Sequence, residues 1–195
     1  MQATSPYDRL RHDVIGLFPA QVDDKAIGLQ QVLRRSVEYV NIDRLRRELV
    51  IDRRAILLGM VANGLDPENS DSNSSKWFSN WLRPRLSHLD LPRACEEART
   101  SEDALAKAMS EDFSLVPSGS IRTAMTRAVN YAKGTVGRDK VALRHLFVAI
   151  VSDPGHELEI KEFNWKPTDT DKADLTAKLF SHIAATPEPD ENLEA

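Results

Sequence analysis

The chain has 195 residues, of which 41% are hydrophobic and 29% charged, enough for one sizeable core or two small cores that share an interface. The net charge is −4. Residues 186–195 hold four acids and no base, so the rest of the chain is formally neutral, which disfavours a nucleic-acid binder. The single cysteine, Cys95, excludes an intrachain disulfide and a multi-thiolate zinc site. It is typical of a reducing compartment, and we expect a cytoplasmic protein.

Apolar runs in this sequence are short. None approaches the roughly 18 consecutive apolar residues that a membrane span needs, and the first residues lack the pattern of a signal peptide. We therefore expect no association with a membrane.

Helix-period patterns recur along the chain, whereas strand-like alternation is rare, so the sequence predicts an all-α protein. In chain order, the predicted helices span residues 7–17, 24–47, 52–63, 76–86, 91–99, 101–110, 119–133, 143–152 and 170–184. Ser101 and Ser118 are predicted to cap two of them. The polar residues 66–75 predict a mobile loop, and residues 186–195 an acidic disordered tail or linker.

Two segments have matching patterns. Residues 29–40 and 121–132 place small or apolar side chains at the same relative positions, along one helix face. After a short turn, residues 51–61 align without gaps with residues 141–151, and both are almost uniformly apolar. The ordered pair indicates an internal duplication.

The second of these segments resembles a known family. Residues 121–132 have spaced alanines, and residues 141–151 contain His145-Leu146-Phe147, and together they resemble the repeat of the Clp amino-terminal domain of AAA+ unfoldases. In the first half Ala55 stands where the histidine would be. The resemblance implies two tandem repeats of about four helices each, with an amino-terminal extension helix. It also implies a module that docks a substrate or adaptor for a larger machine.

The resulting domain prediction has four parts: an extension over 1–24, a first repeat with connecting helices over 25–116, a second repeat over 117–185, and the tail over 186–195. We expect a non-catalytic interaction module whose partner is a protein or peptide and which serves a fused or associated effector or ATPase. A purely architectural dimerisation domain is one alternative.

Two groups of residues are candidates for partner binding. Trp77, Phe78 and Trp81 form an aromatic stripe that is typical either of core packing or of a peptide groove. Seven arginines lie between residues 34 and 54 among four acids, a pattern of either a solvated helix surface or a patch for an anion or acidic partner. From this stretch we select Arg44, Arg46 and Arg47.

Catalytic and cofactor motifs are nearly absent from the sequence. There is no Walker pattern, the five histidines lack metal-ligand spacing, and Cys95 has no histidine close by in sequence, so we expect no cofactor, no metal and no enzyme activity. One alternative stays open. Arg138 and His145 fit the loose arginine-to-histidine spacing of HEPN-type ribonucleases, whereas the Clp-like repeat gives His145 a structural role at the start of a helix.

Overall fold

The computed structural model describes residues 5–22, 26–66, 81–137, 140–153 and 158–182. The helices in this part of the chain are α1 (Pro6–Asp13), α2 (Ile27–Ser36), α3 (Arg53–Leu65), α4 (Leu91–Ala98), α5 (Glu102–Ser110), α6 (Gly119–Val136), α7 (Leu143–Val151) and α8 (Asp169–His182). Residues 81–85 are also helical, and 3₁₀ turns cover 14–17, 37–39 and 161–163. The strands are β1 (Asn41–Asp43), β2 (Glu48–Ile51) and β3 (Ser114–Pro117).

The protein is therefore mostly helical with a small three-stranded sheet, and the all-α prediction is wrong in this respect. The helix predicted over 24–47 ends at Ser36. Val40 is extended, with ψ at 146°, and the chain then forms β1, a turn and β2. The short length of β2 explains the error. Leu49 and Ile51 are buried and Val50 between them is half-buried, but this strand-like alternation covers too few residues to be recognised in the sequence.

Strand β2 lies at the centre of the sheet, antiparallel to β1 and parallel to β3. β2 leads directly into α3, where the Asp52 side chain accepts a hydrogen bond from the Ala55 amide at 2.8 Å. β3 leads into α6, where the Ser118 hydroxyl accepts one from the Ile121 amide at 3.3 Å. The cap predicted at Ser118 is confirmed, as is that at Ser101. The parallel pair thus places the first turns of α3 and α6 side by side.

One continuous core connects the described helices. Helix α2 packs on α3, and α6 packs on α7. The two almost uniformly apolar segments lie in this core, since Ile56 and Leu57 on α3 and Leu146 and Phe147 on α7 are each at most 1% exposed. The first helix belongs to the same core, because Tyr7 and Leu10 are buried in it.

Two features fix the helix arrangement. At Gly59 on α3, an added Cβ would lie 2.8 Å from the backbone nitrogen of Ser36, so glycine allows α2 and α3 to approach closely. Buried Asp153 follows α7 and pairs with Arg53 at the start of α3 and, at 2.8 Å, with Arg127 on α6. A shared carboxylate therefore ties the two halves of the chain together.

Candidate functional site

The three arginines selected from the sequence lie together in the turn between β1 and β2. Arg44, Arg46 and Arg47 are all exposed, and Leu45 between them is 98% exposed. They are on a hairpin turn and not on the helix surface predicted for them. The turn therefore presents one apolar side chain flanked by three guanidinium groups.

Local hydrogen bonds shape this turn. The Asp43 carboxylate accepts hydrogen bonds from the backbone amides of Leu45 at 3.0 Å and Arg46 at 3.1 Å. At the other end, the Ser114 amide donates to the Arg47 carbonyl at 3.0 Å, which joins the turn to the start of β3. The turn is thus held at both ends, and the exposed side chains project from an ordered backbone.

Arg47 has an unusual backbone conformation. Its φ is +56°, in the left-handed region that favours glycine or asparagine. The other described non-glycine residues with positive φ are Asp112 and Asn164, types that tolerate this region. Of the three residues with positive φ, Arg47 is therefore the one whose backbone is strained.

The structure places Trp81 in the core and not in an open groove. Its ring packs edge-on against Phe147 and Trp165, with centroids 5.7 and 6.3 Å apart. Its indole N–H donates to Asp174 at 3.0 Å, and the Arg85 guanidinium lies 3.8 Å from its ring centroid. Every polar and apolar part of this side chain therefore has a partner within the protein.

Trp77 and Phe78, the other two aromatic candidates, lie outside the described residues. Trp81 packs on α7 and α8, whereas the arginines join β1 to β2, so these two parts of the predicted binding set lie on different elements.

His145 is fully buried at the first turn of α7. Its Nδ1 accepts a hydrogen bond from the Ala142 amide at 3.1 Å, and its Nε2 lies 3.0 Å from the Thr135 hydroxyl on α6. Burial, with a smaller contribution from the positive charge of Arg144, lowers the pKa of His145 to about 3. The imidazole is therefore neutral at physiological pH and links the start of α7 to the end of α6. Arg138 lies outside the described residues.

A cluster that the sequence did not predict surrounds Glu38, which is completely buried between α2 and β1. Its Oε1 lies 2.7 Å from Nη2 of Arg11 and 3.1 Å from Nη1 of Arg35. Its Oε2 lies 3.2 Å from Nε of Arg99. The three arginines come from three separate segments, and only Arg35 belongs to the arginine-rich stretch noted in the sequence.

Arg35 and Arg99 also line a cleft with a volume of about 300 Å³. Ala62, Leu65 and Pro92 form apolar walls of this cleft. No local pattern could have revealed it, because its residues are spread over four elements.

No family model, curated protein or solved structure matches this chain. Within the described ranges, no group of three histidine, cysteine or acidic residues is arranged to hold a metal ion. In the same ranges, no helix is both long enough and apolar enough to cross a bilayer.

Proposed function

We propose that this chain is a non-catalytic protein–protein interaction module that docks an acidic segment of a partner on the β1–β2 turn. The partner is a substrate or adaptor of a larger effector or ATPase, fused or associated. The observation that carries the proposal is the turn itself, where Leu45 is 98% exposed between exposed arginines.

The residue types of the turn support docking of a protein. Arginine is enriched where proteins bind each other, and an isolated apolar side chain on a held backbone can enter a partner's pocket at little entropic cost. Three guanidinium groups favour carboxylates on the partner. An acidic segment with one apolar pocket complements this turn.

The strain at Arg47 supports the same conclusion. A left-handed φ costs an arginine about 1–2 kcal/mol that glycine would avoid. Strain of this kind is often retained at functional positions, where the side chain has a role. Arg47 is one of the three arginines that the turn presents.

We also propose that the fold is a duplicated helical repeat. The helices of each pair, α2–α3 and α6–α7, pack on each other. The matched positions are 29, 32, 33, 36, 37 and 40 in the first stripe and 121, 124, 125, 128, 129 and 132 in the second, and all except Val129 are buried. In an experimental structure, superposing the backbone of residues 29–63 on 121–153 should align two helices with the same crossing angle, and opposite crossing hands would contradict duplication.

The environment of His145 supports binding over ribonuclease chemistry. A general acid or base must reach the substrate and exchange protons near neutral pH, whereas this imidazole is buried and both of its nitrogens have partners. Incubating labelled RNA with the wild type and with His145→Ala, at matched folded fractions, tests this alternative. Cleavage by the wild type that His145→Ala loses would contradict a non-catalytic module.

Site-specific photocrosslinking in cells tests the docking surface. A photoreactive residue replaces Leu45 in one variant and Ile27 in a matched control, since Ile27 is also a large exposed hydrophobic residue, 62% exposed, but lies on α2. We expect a discrete protein adduct from position 45 and none from position 27. Reversing the charge of Arg44, Arg46 and Arg47 to glutamate should abolish the adduct while the circular dichroism spectrum is unchanged.

Several outcomes would contradict the proposal. Equal adducts at positions 45 and 27, or no adduct at position 45, would mean that the turn is not a docking surface. An adduct with a second copy of this chain would favour the architectural dimerisation domain, and a nuclease-sensitive adduct would favour a nucleic-acid partner.

A further inference from the structure

The cleft beside Glu38 combines charge and apolar surface in one place. The guanidinium-bearing residues Arg35 and Arg99 line it, together with the apolar Ala62, Leu65 and Pro92. Its volume of about 300 Å³ is at the small end of ligand-binding pockets. It has room for the terminal residue of a peptide.

Buried Glu38 holds the two guanidinium groups in place. It forms an ion pair with Arg35 through Oε1 and with Arg99 through Oε2, which keeps two arginines from different segments close to each other. The contact with Arg99 is electrostatic, since Glu38 Oε2 and Arg99 Nε do not have hydrogen-bond geometry. Both arginine side chains keep about a third of their surface exposed, at 37% and 31%. A ligand would therefore meet two positive groups that are already held near each other, which reduces the entropic cost of binding.

The lining of the cleft carries charges of both signs, and its two arginines are neutralised to different degrees. Arg11 also contacts Glu38 and has a second carboxylate partner in Asp8, at 2.8 Å. Arg99 has one in Glu96, at 3.1 Å, but this carboxylate is 71% exposed and the pair is screened by water. For Arg35, the described residues supply no carboxylate within 4 Å other than the shared Glu38. Arg35 is thus the least neutralised cation of the group.

Two further polar groups in the lining, the Cys95 thiol and the Tyr39 hydroxyl, add no charge. Burial raises the pKa of the Cys95 thiol to about 11 and raises the pKa of the Tyr39 hydroxyl, so both stay neutral at physiological pH. Asp66 and Glu96 are the acids that line the cleft.

We propose that this cleft binds the carboxyl terminus of a polypeptide, with the terminal carboxylate on Arg35 and Arg99 and an apolar last side chain against Leu65 and Pro92. The fork geometry of guanidinium groups suits a planar carboxylate, and capture of a peptide terminus is a known mode of recognition. No residue of the β1–β2 turn lines the cleft, so this site does not rest on docking at the turn.

Titration of the full chain with N-acetyl-leucine and N-acetyl-leucinamide, followed by ¹⁵N NMR, tests the proposal. The two probes differ only in the terminal carboxylate. We expect shifts at Ala62, Leu65 and Cys95 with the acid, and binding at least about tenfold weaker with the amide, because a hydrogen bond to a charged group is lost. Equal binding of the two probes, or no binding of the acid, would overturn the proposal.

Variants separate this site from a merely structural cluster. Arg35→Gln should weaken binding of N-acetyl-leucine by about tenfold or more, whereas Arg34→Gln, an exposed neighbour that contacts Gln30, should leave it unchanged. Glu96→Gln should tighten binding by about two- to fivefold, because it frees Arg99 from a surface pair. If Arg35→Gln fails to fold, Glu96→Gln still decides, since unchanged or weaker binding would overturn the proposal.

Inorganic phosphate serves as the competing probe. We expect millimolar phosphate to displace N-acetyl-leucine poorly, because it lacks the apolar group that contacts Leu65 and Pro92. Phosphate binding tighter than that of N-acetyl-leucine would assign the cleft to a phosphate ligand and overturn the peptide-terminus proposal.

Discussion

Replacing Gly59 with alanine tests how closely α2 and α3 pack. The added methyl group would lie 2.8 and 2.9 Å from backbone nitrogen and Cα of Ser36 and 3.0 Å from the Val32 carbonyl oxygen. All three are backbone atoms of the facing helix or its end, so no side chain can rotate away. Over-packing of this severity costs about 3 kcal/mol, and the better helix propensity of alanine returns about 1 kcal/mol. We expect a net loss of about 2 kcal/mol.

Gly134 on α6 provides the matched control. An added Cβ there has no atom within 4 Å, so the same substitution should stabilise the protein by about 0.5–1 kcal/mol through helix propensity alone. Urea unfolding followed by circular dichroism gives the free energy of unfolding for both variants. Two shifts of the same sign and size would refute the close approach of α2 and α3.

Three further substitutions have expected outcomes. Leu146→Ala in the core should lower the free energy of unfolding by about 2–5 kcal/mol. Leu45→Ala on the surface should change it by less than about 0.5 kcal/mol. Equal losses for the two variants in urea unfolding would contradict the burial pattern. Arg47→Gly should raise the melting temperature by relieving a positive φ, whereas Arg46→Gly, where φ is not positive, should not. In the unfolded state His145 is protonated below about pH 6.5, whereas in the folded state it stays neutral down to about pH 3. The contribution of His145 to the free energy of unfolding is therefore fully present above pH 6.5. Below that pH it falls by about 1.4 kcal/mol per pH unit. His145→Gln should flatten this slope in urea titrations at several pH values, and an unchanged slope would show that the imidazole titrates normally.

The helices could be predicted because their signals are local. The cap at Ser118 and the apolar stripe that begins at Ile121 are both found within one short stretch, and α6 begins at Gly119 as these signals indicate. The sheet could not be predicted in this way, because its central strand β2 pairs with β3 across a long separation in sequence. The stripe over 29–40 also continued the helical pattern through Val37 and Val40, which are buried beyond the end of α2.

The candidate sites were predictable to different degrees. Arg44, Arg46 and Arg47 could be selected from composition, but their position on a hairpin turn depends on the pairing of β1 with β2. Trp81 could not be assigned to core or groove from its spacing, since both uses produce the same pattern. The cluster around Glu38 unites residues distant in sequence, and only the fold brings them together.

The most direct test of the proposed function is a double-mutant cycle across the interface at the turn. The partner recovered by crosslinking at position 45 is purified, and dissociation constants are measured for the wild type, for Arg47→Ala, for a carboxylate-to-amide variant of the partner, and for the pair of variants together. Close charge pairs in protein interfaces couple by at least about 1.5 kcal/mol, or more than about tenfold in affinity. The account predicts coupling of this size for at least one carboxylate of the partner, with affinity that falls as salt is added. Additive losses at every carboxylate tested would contradict docking of an acidic segment on this turn.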